Sequence, residues 1–321
     1  LKEGEKEHHN IGVFRPQKFS PITKFSPEDP FLGYVMQELY RAVTEKEELR
    51  NNDKQYLINM KKENKIGIIG LGMLGNAVAL HLLDSGFEVT VFNRTKEKTM
   101  QAREKGAKVV TSPKEIAENS ELIITIVKDA AAVKEISFEK DGIIEGKHEK
   151  LIVADMSTID PSESKNISRK FQEHNIHKLD IPVMGGPNVA ISGNLVMMVS
   201  GNIESFDHCK NVFEKIANKV FFLGESGVAH SVKLAMNLQI TMLALALSEG
   251  IIFMKKANVD PKIFLEILNS TYFKTGMSEK KAYKMIEGKY DTTFTLANLK
   301  KDISTITNAA KSLGIELPMI K

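Results

Sequence analysis

The sequence predicts an α/β fold: an N-terminal Rossmann-type, doubly wound parallel sheet, joined by a long interdomain helix to an all-α C-terminal domain. From Lys65 onward, short apolar runs typical of strands buried on both faces alternate with helical stretches. A glycine-rich turn follows the first of these runs, and after Gly224 the pattern is helical throughout. A length of 321 residues suits about two domains.

The elements follow from runs of apolar residues and the spaces between them. Strands are predicted at 66–69, 89–92, 122–127 and 151–154, with room for crossover helices between them. The runs 176–181, 195–200 and 219–223 are candidates to extend the same sheet, and helices are predicted at 228–257, 261–269, 278–288 and 296–313. These elements divide the chain into an arm at 1–64, a Rossmann domain at 65–226 and an all-α domain at 227–321.

The first 64 residues have a different character. The repeat of Lys18–Pro21 at 24–27, with further prolines, predicts a loop or arm. Apolar residues from Phe31 to Val43 predict one amphipathic helix ending near Leu49, docked on the protein's own body or serving as a partner or dimer arm. Acidic and basic residues are equally frequent and there is no apolar signal core, so we expect a cytoplasmic protein without a targeting segment.

Composition excludes several functional classes. With 42% hydrophobic and 26% charged residues, neither global disorder nor a multi-span membrane protein fits. A net charge of +3 without a block of one sign gives no support for nucleic-acid binding. The single cysteine, Cys209, excludes an internal disulfide or a Cys-rich zinc site, and His8 and His9 lack a third ligand, so no metal is expected. Polar residues such as Asn237 and Glu249 within the apolar stretch 234–254 favour a helix buried between domains or subunits over a membrane span.

The turn Gly70-Leu71-Gly72-Met73-Leu74-Gly75 matches the G-x-G-x-x-G pattern at the end of the first strand, where it opens a helix predicted over 76–85. The first glycine permits a tight turn, the second lets a pyrophosphate approach the backbone, and the third allows close helix–strand packing. The helix N-terminus offers free N–H groups to phosphate. This context predicts a dinucleotide-binding site.

The second strand ends at Asn93-Arg94-Thr95, where a site for NAD would normally carry an acidic residue on the ribose 2′-hydroxyl. Asn93 is neutral, Arg94 can pair with phosphate and stack on adenine, and Thr95 offers a hydroxyl. We therefore expect NADP(H) rather than NAD(H), with a solvated loop cation as the alternative interpretation of Arg94.

Three further segments carry candidate chemistry. Ser157 and Thr158 follow a predicted strand, where ligands of doubly wound folds bind, although such hydroxyls also serve as helix caps. The segment Pro182–Pro187 bares consecutive N–H groups that would cradle a carboxylate, or it is a plain loop. Lys233 and Asn237 lie four apart on one face of an apolar helix, where burial lowers a lysine pKa toward the proton-transfer range.

Taken in order, these motifs resemble the β-hydroxyacid dehydrogenase family, which includes 3-hydroxyisobutyrate dehydrogenases and glyoxylate/succinic semialdehyde reductases. The resemblance covers residues 65–321 and adds the pair Lys301-Asp302 near the end. It implies that Lys233 donates or accepts the proton, that Asn237 positions the reacting oxygen, and that Thr158 and Lys301 contact the cofactor. It also implies homodimers or homotetramers.

Motifs and resemblance together give the candidate site. Cofactor-binding residues are Gly70, Gly72, Met73, Leu74, Gly75, Asn93, Arg94, Thr95, Val127, Thr158 and Lys301. Substrate-binding residues are Ser157, Met184, Gly185, Gly186, Lys233 and Asn237. The expected reaction is hydride transfer between NADP(H) and a small carboxylate-bearing aldehyde or 3-hydroxyacid, with Lys233 as general acid and base.

Several features depart from the family pattern. Met184 replaces the usual serine of the substrate loop, and Met236 replaces the first of two adjacent asparagines, so the identity of the substrate stays open. Relatives continue beyond the position of Lys321, so we expect the helical domain to be truncated. The alternatives are an imine reductase-like enzyme, a class that usually lacks the lysine, or a non-catalytic regulatory protein that binds a partner through the arm. A phosphogluconate-type dehydrogenase would carry His-Asn where this chain has Met236-Asn237.

Overall fold

The computed structural model describes residues 65–290 and 295–320, which belong to one compact unit. The predicted arm and its amphipathic helix lie outside the described residues. Within that part of the chain the strands are β1 (Lys65–Ile69), β2 (Glu88–Phe92), β3 (Lys108–Val109), β4 (Leu122–Thr125), β5 (Ile152–Asp155), β6 (His177–Asp180), β7 (Val183–Met184), β8 (Leu195–Val199) and β9 (Ala217–Phe222). The helices are α1 (Met73–Asp84), α2 (Met100–Glu104), α3 (Pro113–Glu118), α4 (Ala130–Phe138), α5 (Pro161–Glu173), α6 (Pro187–Ala190), α7 (Ile203–Ile216), α8 (Val228–Lys256), α9 (Pro261–Asn269), α10 (Gly276–Lys280), α11 (Ala282–Glu287) and α12 (Leu296–Ser312).

The main sheet has the doubly wound order β3-β2-β1-β4-β5-β6, with parallel pairing between neighbours. Successive side chains of β1 enter opposite layers: Ile68 packs with the cluster that contains Leu82 of α1, and Ile69 with the cluster that contains Phe171 of α5. Helices therefore cover both faces, as the apolar strands predict. The strand order reverses between β1 and β4, so their carboxyl ends form the crevice where ligands of this fold bind.

The prediction that 195–200 and 219–223 extend the main sheet is wrong. These runs form β8 and β9 of a second, three-stranded sheet with the order β7-β8-β9. The short strand β7, which the apolar pattern did not reveal, pairs antiparallel with β8. The two sheets touch in an antiparallel bridge between Asp180 and Ser200.

After β9, the described chain is helical, in agreement with the sequence. One boundary differs: the helix predicted at 278–288 is two helices, α10 and α11, separated at Lys281, where φ is −115°. A capping box between Thr275 and Ser278 begins α10 earlier than the apolar pattern indicates. Likewise, α1 begins at Met73 rather than at Asn76.

The long helix α8 carries Lys233 and Asn237 and connects the sheets to the helical part. Within the described residues it is the one helix long and apolar enough to cross a membrane, yet only 22% of its most apolar window is buried. Its expected burial between domains is thus partial. It packs against α12 at Leu234 and against α9 at Leu247, while other apolar side chains, such as Leu245 and Phe253, are exposed in the described chain.

Candidate active site

The glycine turn has the geometry that its sequence predicts. Gly70 has φ +102°, a conformation that residues with a Cβ rarely adopt. A Cβ at Gly75 would lie 1.9 Å from the carbonyl oxygen of Gly70, which explains the third glycine by close packing. A Cβ at Gly72 would meet no atom of the described chain within 4 Å, so the second glycine keeps open space above the turn.

The first turn of α1 is suited to an anion. Its N-cap is Gly72, no described side chain caps it, and no acidic residue lies in the turn. The free N–H groups of this turn, near Met73 and Leu74, therefore lie at the positive end of the helix dipole, where anions bind. Met73 is exposed, and Leu74 packs against the core below. A surface groove of about 360 Å³ between α1 and α6 shares Met73 with the predicted site.

Asn93 has a structural role that the sequence did not reveal. Its Oδ1 accepts a hydrogen bond from the Leu71 N–H at 2.8 Å, and its Nδ2 donates to the Thr95 carbonyl at 2.8 Å. Asn93 therefore braces the glycine turn from the end of β2. The Arg94 side chain is 88% exposed and lies 3.9 Å from the Glu135 carboxylate, which leaves its guanidinium accessible to a ligand.

The ends of β4 and β5 are linked by side chains. The Ser157 hydroxyl, which is buried, accepts a hydrogen bond from the Val127 N–H at 3.0 Å, and Asp155 accepts one from the Thr125 hydroxyl at 2.8 Å. Val127 also lies next to the glycine turn, because a Cβ at Gly70 would lie 3.3 Å from its side chain. Ser157 thus supports the floor of the crevice. The cap of α5 is Asp160, so neither Ser157 nor Thr158 serves as that helix cap.

Lys301 joins α12 to the carboxyl edge of the sheet. Its Nζ donates to the carbonyl oxygens of Thr158, at 2.9 Å, and Lys128, at 3.1 Å. It also lies 2.8 Å from the carboxylate of its neighbour Asp302. The other carboxylate oxygen of Asp302 accepts a hydrogen bond from Asn237 Nδ2 at 2.8 Å. The sheet edge and the helix that carries Asn237 are therefore connected through adjacent residues of α12.

Lys233 lies against the short strand β7. Its Nζ donates to the Val183 carbonyl oxygen at 2.7 Å and lies 3.4 Å from the Met184 sulfur. Burial lowers the pKa of Lys233 from 10.5 to about 8; the nearby Asp302 carboxylate opposes this shift, and the Lys301 charge adds to it. A lysine amine with this pKa can both donate and accept a proton near neutral pH.

The segment Pro182–Pro187, predicted as the substrate loop, bends sharply beside this lysine. Gly185 has φ +119°, and a Cβ there would lie 2.8 Å from Leu195. Gly186 is the N-cap of α6, with open space at its own Cβ position. The loop therefore presents main chain rather than side chains next to Met184.

The structure brings most predicted residues together. The glycine turn, Val127, Thr158 and Lys301 are linked along one edge of the sheet. Lys233, Asn237 and Met184 form a second group that Asp302 connects to the first. Sequence reasoning quoted Asp302 as part of a motif without giving it a role. Of the residues that the structure describes, no three His, Cys, Asp or Glu side chains are grouped as metal ligands.

Family models cover the described chain in two parts. Residues 65–224 match the NAD-binding domain of 6-phosphogluconate dehydrogenase, and residues 227–321 match the NAD-binding family model of NADP-dependent 3-hydroxyisobutyrate dehydrogenase. A probable mitochondrial 3-hydroxyisobutyrate dehydrogenase-like protein from Arabidopsis thaliana is 31% identical over 79% of this chain and 76% of its own length. The chain belongs to the β-hydroxyacid dehydrogenase family.

Solved structures agree at the level of the fold. The 3-hydroxyisobutyrate dehydrogenase of Salmonella typhimurium superimposes with a TM-score of 0.73 and 23% identity, over 80% of this chain and 90% of that one. An imine reductase from a Pseudomonas species has a TM-score of 0.59 and 20% identity, over 81% and 90% of the two chains. Membership of the β-hydroxyacid dehydrogenase family makes this chain a nicotinamide-cofactor-binding oxidoreductase.

Proposed function

We propose that this β-hydroxyacid dehydrogenase is an NADP(H)-dependent reductase of a small carboxylate-bearing aldehyde, acting reversibly on the corresponding 3-hydroxyacid, with Lys233 as general acid and base. The observation that carries the proposal is the environment of Lys233. Its partly buried amine, with a pKa of about 8, lies between the substrate loop and the Asn237–Asp302 pair.

The residues of the crevice fit a dinucleotide. Open space above Gly72 and the uncapped first turn of α1 suit a pyrophosphate, since a side chain at either place would block it. Residue 93, at the end of β2, is an asparagine and carries no carboxylate that would repel a 2′-phosphate. Arg94 and Thr95, which follow it, can contact that phosphate, which supports NADP(H) over NAD(H). When bound there, the nicotinamide supplies or accepts the hydride.

Lys233 holds the proton that the carbonyl oxygen needs during reduction. Its ammonium has three N–H donors, of which one is used by Val183 and one points to the Met184 sulfur. The remaining donor is available to stabilise and protonate a developing alkoxide. A hydrogen bond to Asp302 fixes the Asn237 amide, which we assign to orienting the substrate carbonyl oxygen. In the oxidation direction the neutral Lys233 amine accepts the proton.

The substrate carboxylate is assigned to the main-chain N–H groups around Gly185 and Gly186. The positive φ at Gly185 and the N-cap position of Gly186 support a carboxylate-binding site made of main-chain N–H groups. Met184 contributes a thioether where the family commonly has a hydroxyl, so we expect the acyl chain beside it to be less polar than in serine-containing relatives.

A panel of small aldehydes and 3-hydroxyacids, assayed with NADPH and NADH by nicotinamide absorbance, tests the proposal. We expect turnover of carboxylate-bearing aldehydes with NADPH, and loss of turnover when the carboxylate is replaced by an amide. Cyclic imines serve as the control substrates: their reduction in place of aldehydes would assign the imine reductase alternative. Tight NADPH binding without any turnover would assign the non-catalytic alternative.

We also propose that the protein acts as a homodimer or homotetramer built on α8. Leu245, Ile252 and Phe253 are at least half exposed in the described chain, as are Ile263 and Ile267 on the neighbouring α9. An apolar surface of this kind is typical of a subunit interface. Analytical ultracentrifugation should give a multiple of 35.8 kDa for the wild type and a smaller species for Phe253→Glu; a monomeric wild type would contradict the proposal.

A further inference from the structure

A buried carboxylate connects β6 to the beginning of α8. The Oδ2 atom of Asp180 accepts hydrogen bonds from the Gly227 N–H at 2.6 Å, the Ser200 hydroxyl at 2.9 Å and the Ser226 hydroxyl at 3.0 Å. Gly227 is the N-cap of α8, with φ +91°. The Ser200 hydroxyl also accepts a hydrogen bond from the Ala229 N–H, in the first turn of α8, at 3.2 Å. Asp180 Oδ2 therefore holds the first residues of α8, directly through Gly227 and indirectly through Ser200.

The other oxygen of Asp180 has different partners. Oδ1 accepts hydrogen bonds from the Ser164 hydroxyl at 2.5 Å and from the Lys178 ammonium, and His230 Nε2 lies 3.5 Å away. The side chains of Lys178, Asp180 and His230 are fully buried. Burial alone would raise the pKa of Asp180, but the Lys178 charge, His230 and the Gly227 N–H together hold it well below its ordinary value. The carboxylate is thus charged throughout the working pH range.

The same two elements determine where Lys233 lies. Lys233 is six residues after the Gly227 N-cap, which is about 9 Å along the helix axis. The Val183 carbonyl that accepts its hydrogen bond is three residues after Asp180. The end of β6 and the start of α8 therefore meet at Asp180. A few residues later, one chain segment supplies the Val183 carbonyl and the other supplies the Lys233 amine that binds it. A shift of α8 relative to β6 would move the amine out of its buried position.

We propose that Asp180 is a positioning residue for Lys233, which it holds in register with the substrate loop by anchoring the first turn of α8 through Ser200, Ser226 and Gly227. The inference builds on the function proposed for Lys233. The buried Lys178 keeps the anchoring carboxylate ionised in the core, where an unpaired charge would be costly. No hydrogen bond within the described residues joins these side chains to Lys233 or Asn237.

Two buried serines provide a matched pair of variants. Ser200 and Ser164 are both 0% exposed, and each donates to Asp180. Ser200 also holds the Ala229 N–H of α8, whereas Ser164 contacts Lys178. Ser200→Ala therefore weakens the anchor, and Ser164→Ala weakens only the opposite side of the same carboxylate. Each variant removes one hydroxyl that donates to Asp180, so both should lose a similar amount of folding stability. Ser164→Ala therefore shows how much of any effect comes from lost stability alone.

The first measurement is the pKa of Lys233, obtained without substrate by competitive acetylation and mass spectrometry across pH. Burial is the largest cause of its low pKa, and Asp302 and Lys301 are the charged groups that also act on it. Water reaching a displaced amine should move the pKa from about 8 toward 10.5 in Ser200→Ala and leave it unchanged in Ser164→Ala. The second measurement is kcat, which we expect to fall by up to about 10²-fold in Ser200→Ala alone.

The outcomes separate the two proposals. Equal loss of thermal stability in both variants with an unchanged Lys233 titration would overturn the positioning role, as would an equal pKa shift in both. A pKa shift confined to Ser200→Ala supports the role even if the wild type turns over none of the aldehydes tested. In that case the proposed reaction fails while the anchor stands. As a second anchor variant, Ser226→Ala should follow Ser200→Ala in direction.

Discussion

The pH dependence of turnover gives a direct test of the proposed proton transfer. With a pKa of about 8, about nine in ten Lys233 side chains carry a proton at pH 7 and about one in ten at pH 9. Aldehyde reduction needs the protonated form, so kcat should be level below pH 8 and fall about tenfold per pH unit above it. Oxidation of the hydroxyacid needs the free amine, so its rate should instead rise through pH 8.

Lys233→Ala removes the group responsible for this dependence. We expect kcat to fall by ~10² to 10⁴, which corresponds to about 3 to 5 kcal/mol of transition-state stabilisation, and the limb near pH 8 to disappear. Lys233→Arg should support oxidation poorly because a guanidinium stays protonated. Steady-state nicotinamide absorbance from pH 6 to pH 10 measures both rates, and calorimetry checks that NADPH still binds. A folded, NADPH-bound Lys233→Ala variant with near-normal kcat would refute the role of Lys233.

Three further predictions concern the cofactor site and the core. Arg94→Ala should weaken NADPH binding by about 1.5 to 3 kcal/mol in calorimetry and leave NADH affinity nearly unchanged, because the exposed guanidinium has a 2′-phosphate to contact only in NADPH. Gly72→Ala should retain the wild-type thermal midpoint yet lose cofactor affinity, whereas Gly75→Ala should unfold at lower temperature because its Cβ meets the Gly70 carbonyl; equal midpoints would contradict this. Burial raises the pKa of the Cys209 thiol to about 12, so it should resist thiol reagents at pH 8 until the protein unfolds.

The main sheet was predictable from the sequence because its strands are buried on both faces. Apolar runs such as Ile66–Ile69 are typical of strands that are covered on both faces, as in a parallel sheet, and the turn Gly70–Gly75 identifies the first crossover. The second sheet was not predictable in the same way. Strand β7 has two residues, too few to show a period, although it forms one edge of that sheet beside β8.

The polar network around Asp180 shows what the sequence alone could not supply. In the segment His177-Lys178-Leu179-Asp180 only Leu179 is apolar, a composition that indicates an exposed strand, yet the side chains of Lys178 and Asp180 are fully buried. The pair is buried because α5 contacts Lys178, while the residue after β8 and the N-cap of α8 contact Asp180, and these elements come from distant parts of the chain. Such convergence leaves no local signal.

Asp302 and Lys301 act on Lys233 in opposite directions, which gives a test that does not depend on the identity of the substrate. The Asp302 carboxylate raises the pKa of Lys233, and the Lys301 ammonium lowers it. Asp302→Asn should therefore lower the pKa of Lys233 below about 8, and Lys301→Met should raise it. Asparagine at 302 keeps a carbonyl oxygen for the hydrogen bond from Asn237 Nδ2, so the local fold should persist.

Competitive acetylation of Lys233 in the two variants and in the double variant measures these shifts, and the pH profile of aldehyde reduction should follow them. The descending limb of kcat should move to lower pH in Asp302→Asn, because the proton is lost earlier, and to higher pH in Lys301→Met. The double variant should lie between the two, since the opposing charges are removed together. Shifts in the same direction in both single variants would show that loosened packing, rather than charge, controls the Lys233 amine, and the electrostatic account of its pKa would have to be abandoned.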